Sequence, residues 1–231
     1  RLDRQAAGIG RGERAIASYD EDAVSMAVEA GRQALGGARP DTLVFATTSP
    51  PYAEKLNAAA IAAALDLVPE TRSLELGSNS RMGLAGLSLA CDLAAAGRTA
   101  LVCAGDVVIG APGGARERDG GDAAVAFVTG PGDQAIARVR GSASSTSEVL
   151  DVWRTPEERF ARQWEERFGI EVLAPVSLDT AKRALAAAGV EPAALARVVL
   201  DATNRRDVAE IPRALGLKSE QGLDPPVGSV R

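Results

Sequence analysis

The stretch "SLELGSNSRMGLAGLSLACDLAAAGRTALVCAGD", residues 73–106, reads as a short strand, a tight Gly/Ser/Asn turn, a long apolar helix and a second strand. Strand, crossover helix and strand in that order make the unit of a parallel sheet, because parallel neighbours need a long connection. The turn puts a helix N-terminus at the end of a strand, where backbone N–H groups favour an anion or a nucleophile. Ser80 stands at its tip, and the chain contains no histidine to activate it.

The same grammar continues on both sides. "DEDAVSMAVEAGRQAL", from Asp20 to Leu35, opens acidic, places Val24, Met26, Ala27, Ala30 and Leu35 at helical spacing, and stops at Gly36-Gly37. "DTLVFATTSPP" is a buried strand ended by Pro50-Pro51, and "AEKLNAAAIAAALDLV" predicts an Ala-rich helix. "DAAVAFVTG" and "QAIARVRGSAS" predict a hairpin around Gly130-Pro131-Gly132-Asp133. "PEERFARQWEERF", residues 156–168, predicts a charged helix with Phe160, Trp164 and Phe168 on one apolar stripe. "LVFATTS" and "VVLDATN", each between a helix ending "QAL" or "RAL" and one ending "ALDL" or "ALGL", suggest a duplicated α/β unit. The expectation is a layered α/β fold of two duplicated halves, residues 1–140 and 141–231, the second incomplete. Ligands in such folds sit at the C-terminal ends of strands, here Thr47 to Tyr52, Ser78 to Arg81, Asp106 to Gly110 and Asp201 to Asn204.

Composition narrows the function. With 26 Lys+Arg against 31 Asp+Glu among 231 residues and no basic block, the chain does not read as a nucleic-acid binder. No apolar run reaches the roughly 18 residues that cross a bilayer, and no signal-peptide pattern opens the chain, so a cytoplasmic protein without membrane contact is expected. Arg1 in place of an initiator Met suggests a trimmed piece. Cys91 and Cys103 lie in apolar surroundings and read as buried thiols, not a disulfide. Without histidine, His-assisted Ser or Cys catalysis and most zinc chemistry are excluded, and no metal site is expected. "GAPGGARERDGG", residues 110–121, lacks the GxxxxGK[ST] spacing of a phosphate loop. It reads as a solvated flexible loop whose Arg116 and Arg118 are candidates for a phosphate.

Taken in order, "SYDEDAVSMAVEAGRQAL", "TTSPPYAEK", "NSRMGLAGLSLA", "CAGD", "GGDAAVAFVTG" and "VVLDATNRRDVAEIPRALGL" resemble the thiolase superfamily. The nearest branches are 3-hydroxy-3-methylglutaryl-CoA synthases and ketoacyl-carrier-protein synthases of the third type. The resemblance implies Claisen chemistry on thioesters, with coenzyme A thioesters as substrate or ligand and no separate cofactor. It also implies a dimer, and for this branch an OB-fold acyl-CoA-binding partner. Carried over by position, the nucleophile falls on Ser80, the histidine on Asp201 with Asn204 as the polar residue after it, and the early glutamate on Thr48. All three depart from the family pattern.

A serine hydroxyl needs a hydrogen-bonded base, and Asp201 is the candidate at the matched positions. Cys91 is no substitute nucleophile, since eleven residues of helix place it about 16 Å along the axis from Ser80. Backbone N–H groups from Gly77 to Gly83 are placed to polarise a thioester carbonyl, and Tyr52 is a candidate hydroxyl donor. Asn79 or Ser80 can instead simply cap the helix. Three readings stay open: an acyltransferase using Ser80, a thiolase-like aldolase or lyase without a covalent intermediate, and a non-catalytic scaffold.

Overall fold

The computed structural model describes residues 14–132, 135–164, 166–202 and 208–223. Its centre is a four-stranded sheet of β1 (Thr42–Ala46), β2 (Arg72–Leu76), β3 (Ala100–Asp106) and β4 (Ala123–Thr129), in the order β2-β1-β3-β4. β1 is parallel to β2 and β3, and β4 closes the sheet antiparallel to β3, from Ala100 opposite Thr129 to Asp106 opposite Ala123.

Period-two alternation divides the strands between two helical layers. Leu43, Phe45, Leu101 and Cys103 pack with Ala23 and Ala27 of α1 (Ala23–Leu35) and with Ala58 and Ile61 of α2 (Asn57–Ala64). Val44, Ala100 and Val102 face the other way, against Ala90 of α3 (Met82–Ala95). β1 is buried along its whole length, which explains a run of apolar residues instead of a polar alternation. Gly86 lets α3 approach this face, since a Cβ there would stand 3.3 Å from Val44 Cγ1 and 3.5 Å from Val102 Cγ1.

Local chemistry sets the helix ends. Asp22 and Ser25 form a reciprocal capping box on α1, Ser25 N–H donating to Asp22 Oδ1 at 2.7 Å and Asp22 N–H to Ser25 Oγ at 2.8 Å. Gly36 ends the helix at φ 50°. α2 starts later than its sequence predicts because Leu56 offers no capping side chain. A neighbouring strand supplies the cap: the Glu75 carboxylate of β2 accepts from Asn57 N–H at 2.6 Å, Ala58 N–H at 3.3 Å and Asn57 Nδ2 at 2.8 Å.

The remainder departs further from expectation. Residues 135–151 are irregular, so over these residues the expected second strand of the hairpin does not form; β4 pairs antiparallel with β3. Residues 156–164 are not helical. β5 (Val152–Trp153) and β6 (Arg162–Gln163) pair antiparallel there, and the Trp164 side chain is half exposed. The Phe160/Trp164 stripe is therefore absent, and the side chain of Phe168 lies outside the described residues. Pro156 and the hydrogen bonds of Thr155 to the Glu158 carboxylate (N–H at 2.9 Å) favour a turn over a helix. α5 (Glu166–Ala188) follows with Pro175 inside it, then β7 (Val198–Val199), α6 (Ile211–Ala214) and β8 (Gly222–Leu223), with β7 parallel to β8. No described helix is long and apolar enough to cross a membrane.

Truncating Phe45 to alanine removes a fully buried side chain, and Phe45→Ala is expected to cost about 3–5 kcal/mol in urea denaturation followed by circular dichroism. Burial also pushes the Cys103 thiol from 9.0 up to about 12. Between those values the unfolded chain has lost the proton and the folded chain keeps it, so stability falls as pH rises from about 9 to about 12. Denaturation midpoints at pH 8 and pH 11 should show this loss, and Cys103→Ala should flatten the difference.

Candidate functional site

The C-terminal ends of β1, β2 and β3 lie along one edge of the sheet, and Asp106 organises it. Asp106 Oδ1, on the last residue of β3, accepts from Thr47 Oγ1 at 3.1 Å, Thr48 N–H at 2.6 Å, Thr48 Oγ1 at 3.0 Å and Ser49 Oγ at 3.3 Å. Ser49 Oγ in turn accepts Val107 N–H at 2.8 Å, and Thr47 Oγ1 accepts Ser49 N–H at 3.0 Å. The sequence proposes Thr48 for this edge and notes that Asp106 ends a strand. That one carboxylate gathers three successive hydroxyl side chains follows only from the parallel pairing of β1 with β3.

β2 and α3 complete the edge. A Cβ on Gly77 would lie 3.7 Å from the Thr47 carbonyl, and one on Gly83 would lie 3.5 Å from Ala104 Cβ, so the first turn of α3 stands over the end of β3. Ser78 between them adopts φ 78°. Ser78, Asn79 and Ser80 are exposed. The expected cap by Asn79 or Ser80 is not formed: the N-cap is Arg81, without a side-chain cap bond. Asn79 Oδ1 accepts Arg81 N–H at 3.0 Å and the Asn79 carbonyl accepts Met82 N–H at 3.2 Å, so Asn79 shapes the turn one step before the helix.

Tyr52 is 56% exposed, with Lys55 Nζ 4.5 Å from its ring centroid. Its loop is anchored by the buried Asn57, whose Nδ2 donates to the Tyr52 and Lys55 carbonyls at 3.1 Å each. Asp201 is exposed beyond β7, and no described hydrogen bond joins it to Ser80. Asn204 lies outside the described residues.

Residues 110–121 are not the solvated loop their composition suggests. They hold a short helix, α4 (Ala115–Asp119), with Arg116 half-buried and Arg118 exposed. Glu117 is buried and its carboxylate accepts Gly113 N–H at 2.7 Å, while Arg14 donates to the Glu117 and Gly120 carbonyls. Of the two cysteines Cys103 is buried and Cys91 only partly so. Among the described residues no cluster suited to a metal ion occurs.

The chain is similar in sequence and in fold to proteins of known kind. The hydroxymethylglutaryl-CoA synthase of Methanocaldococcus jannaschii is 29% identical over 216 residues, 90% of this chain and 62% of its own length. That of Aeropyrum pernix is 33% identical over 159 residues, 66% of this chain and 44% of its own. The 3-oxoacyl-(acyl carrier protein) synthase III of Pseudomonas aeruginosa superposes with a TM-score of 0.82 at 22% identity, covering 99% of this chain and 76% of that one. In sequence the chain resembles hydroxymethylglutaryl-CoA synthases, and its fold is thiolase-like. OleA of Xanthomonas campestris, solved with lauric acid and lauroyl-CoA, shares the fold with a TM-score of 0.74 at 18% identity over 91% of this chain and 70% of its own. No family model matches the sequence. The thiolase-like chain spans less than two thirds of the length of the first hydroxymethylglutaryl-CoA synthases it matches.

Removing the Asp106 carboxylate leaves the Thr47, Thr48 and Ser49 donors without their acceptor. Asp106→Ala is expected to destabilise the chain by about 1–3 kcal/mol. Hydrogen exchange should rise at the amides of residues 48 and 107 while those inside β1 and β3 stay protected, unless the carboxylate does not order the loop.

Proposed function

We propose that this chain is an acyl-CoA-directed, thiolase-like protein that holds a thioester at the C-terminal edge of β1, β2 and β3. The observation behind this reading is the Asp106 cluster, which fixes the Thr48 loop beside the start of α3. The thioester carbonyl would meet the first N–H groups of α3, where the helix dipole favours developing negative charge. Ser80 occupies the nucleophile's place, Thr48 and Asn79 flank the acyl group, and Gly83 leaves backbone room. Asp201 and Asn204 are assigned to the second substrate, as the resemblance implies. Arg116 and Arg118 are assigned to the CoA phosphates, suited by charge-assisted bonding.

In the acyl-transfer form, Ser80 Oγ attacks the thioester carbonyl, the C–S bond breaks, and CoA leaves as the thiol with the hydroxyl proton. Asp201 would accept that proton on its way, and Tyr52 would donate to the oxyanion.

A second reading rests on a specific feature: Ser80 is exposed, and among the described contacts no carboxylate reaches it. This favours binding without a covalent intermediate, as an aldolase or lyase subunit or a scaffold working with an OB-fold acyl-CoA-binding protein. Among the described strands β2 ends the sheet, which supports homodimer formation, because such a strand offers backbone donors and acceptors to a second copy.

Intact mass after incubation with acetyl-, butyryl- and lauroyl-CoA, with calorimetry in parallel, separates these forms. Acyl transfer gives an acyl-sized mass increase that disappears in Ser80→Ala. Binding with no mass increase supports the lyase or scaffold form. Absence of both binding and adduct for every thioester overturns the acyl-CoA assignment.

A further inference from the structure

Residues 135–151 run without regular structure from β4 to β5, and most of them are exposed, Ile136 and Val139 among them. They are nevertheless attached at two places. Gly141 passes so close to the end of α5 that a Cβ there would lie 2.6 Å from the Ala188 nitrogen and 2.9 Å from the Ala187 carbonyl carbon. Four residues on, Ser145 is held from two sides. Its hydroxyl shares a hydrogen bond with Thr180 Oγ1 of α5 and accepts from Arg183 Nη2, which also donates to the Ser144 carbonyl at 3.1 Å. Its carbonyl accepts from Arg81 Nη1 at 3.3 Å.

Arg81 is the N-cap of α3 and the neighbour of Ser80. Its side chain therefore links the turn at the sheet edge, through residues 144–145, to α5. We propose that this strap positions Arg81: docking of residues 141–145 on α5 holds the guanidinium at the α3 N-terminus and so sets the electrostatics at position 80. The contact orders the cation without neutralising it, because a carbonyl acceptor leaves the positive charge in place. Arg183 is secured separately by Asp179 (Nε to Oδ2 at 2.9 Å), so the α5 side of the strap is itself fixed. This inference concerns the field at position 80 and stands whether or not the chain handles acyl-CoA.

A thiol at position 80 reports that field. In Ser80→Cys, alkylation by iodoacetamide across pH 5 to 10 gives the thiol's midpoint, with peptide-resolved mass spectrometry separating position 80 from Cys91 and Cys103. The helix N-terminus and a fixed guanidinium should together bring the midpoint below the usual value of about 8.5. Adding Arg81→Gln should raise it by about one pH unit. Releasing the strap while keeping the cation, by Arg183→Gln or by Gly141→Ala, should raise it in the same direction. Arg183 is an exposed side chain, so its replacement tests the idea even where Gly141→Ala impairs folding. A midpoint that responds to Arg81→Gln but not to Arg183→Gln, or to neither, overturns the role given to the strap.

Discussion

Complete burial of β1 is the constraint on which the rest of the structure depends. Thr42–Ala46 has sheet neighbours on both sides and helices on both faces, so each of its backbone groups must pair within the sheet and each of its side chains must meet a helix. Leu43 and Phe45 require α1 and α2, whereas Val44 requires α3. Those demands place α3 over the sheet with its N-terminus at the strand ends. The location of the candidate site is thus a consequence of packing before it is a matter of chemistry.

Carboxylates then convert strand ends into defined loops. Asp106 orders residues 47–49, Glu75 caps α2 in place of the unsuitable Leu56, and Asp122 accepts Ala17 N–H at 2.9 Å and Val108 N–H at 2.7 Å. Each satisfies backbone donors that would otherwise lack partners at the edge of a buried core, and charge-assisted acceptors do so more strongly than neutral ones. The thiolase-like edge is therefore a lattice of fixed amides and hydroxyls. On the proposed reading, the donors toward a carbonyl come from the first turn of α3, whichever residue fills the nucleophile's position.

On the correspondence proposed above, Ser80, Asp201 and Thr48 stand where the resemblance implies cysteine, histidine and glutamate, and that would alter what the edge can do. The binding features made of backbone, the α3 N-terminus and the glycines, do not depend on those side chains. A nucleophile does depend on its base, and Ser80 is exposed in a turn shaped by Asn79 and Arg81. This contrast is why binding and turnover are treated as separable properties of the chain.

What the sequence by itself determined is the order of elements through β3 and the strand β4, with the short helix α4 between them missed, because β-branched runs, helical spacing and Gly/Pro stops are local signals that no packing partner reversed. The resemblance to the thiolase superfamily was legible for the same reason, being a matter of order and spacing. Three features were decided only by tertiary structure. The apolar spacing of Phe160 and Trp164 suggested a helix, yet residues 152–153 and 162–163 pair as β5 and β6 across a turn that starts near Pro156. The strand expected after β4 did not form, and β4 instead ends the sheet antiparallel to β3. The Asp106 cluster joins side chains 57 to 59 positions apart, a separation that only the parallel register of β1 and β3 can close.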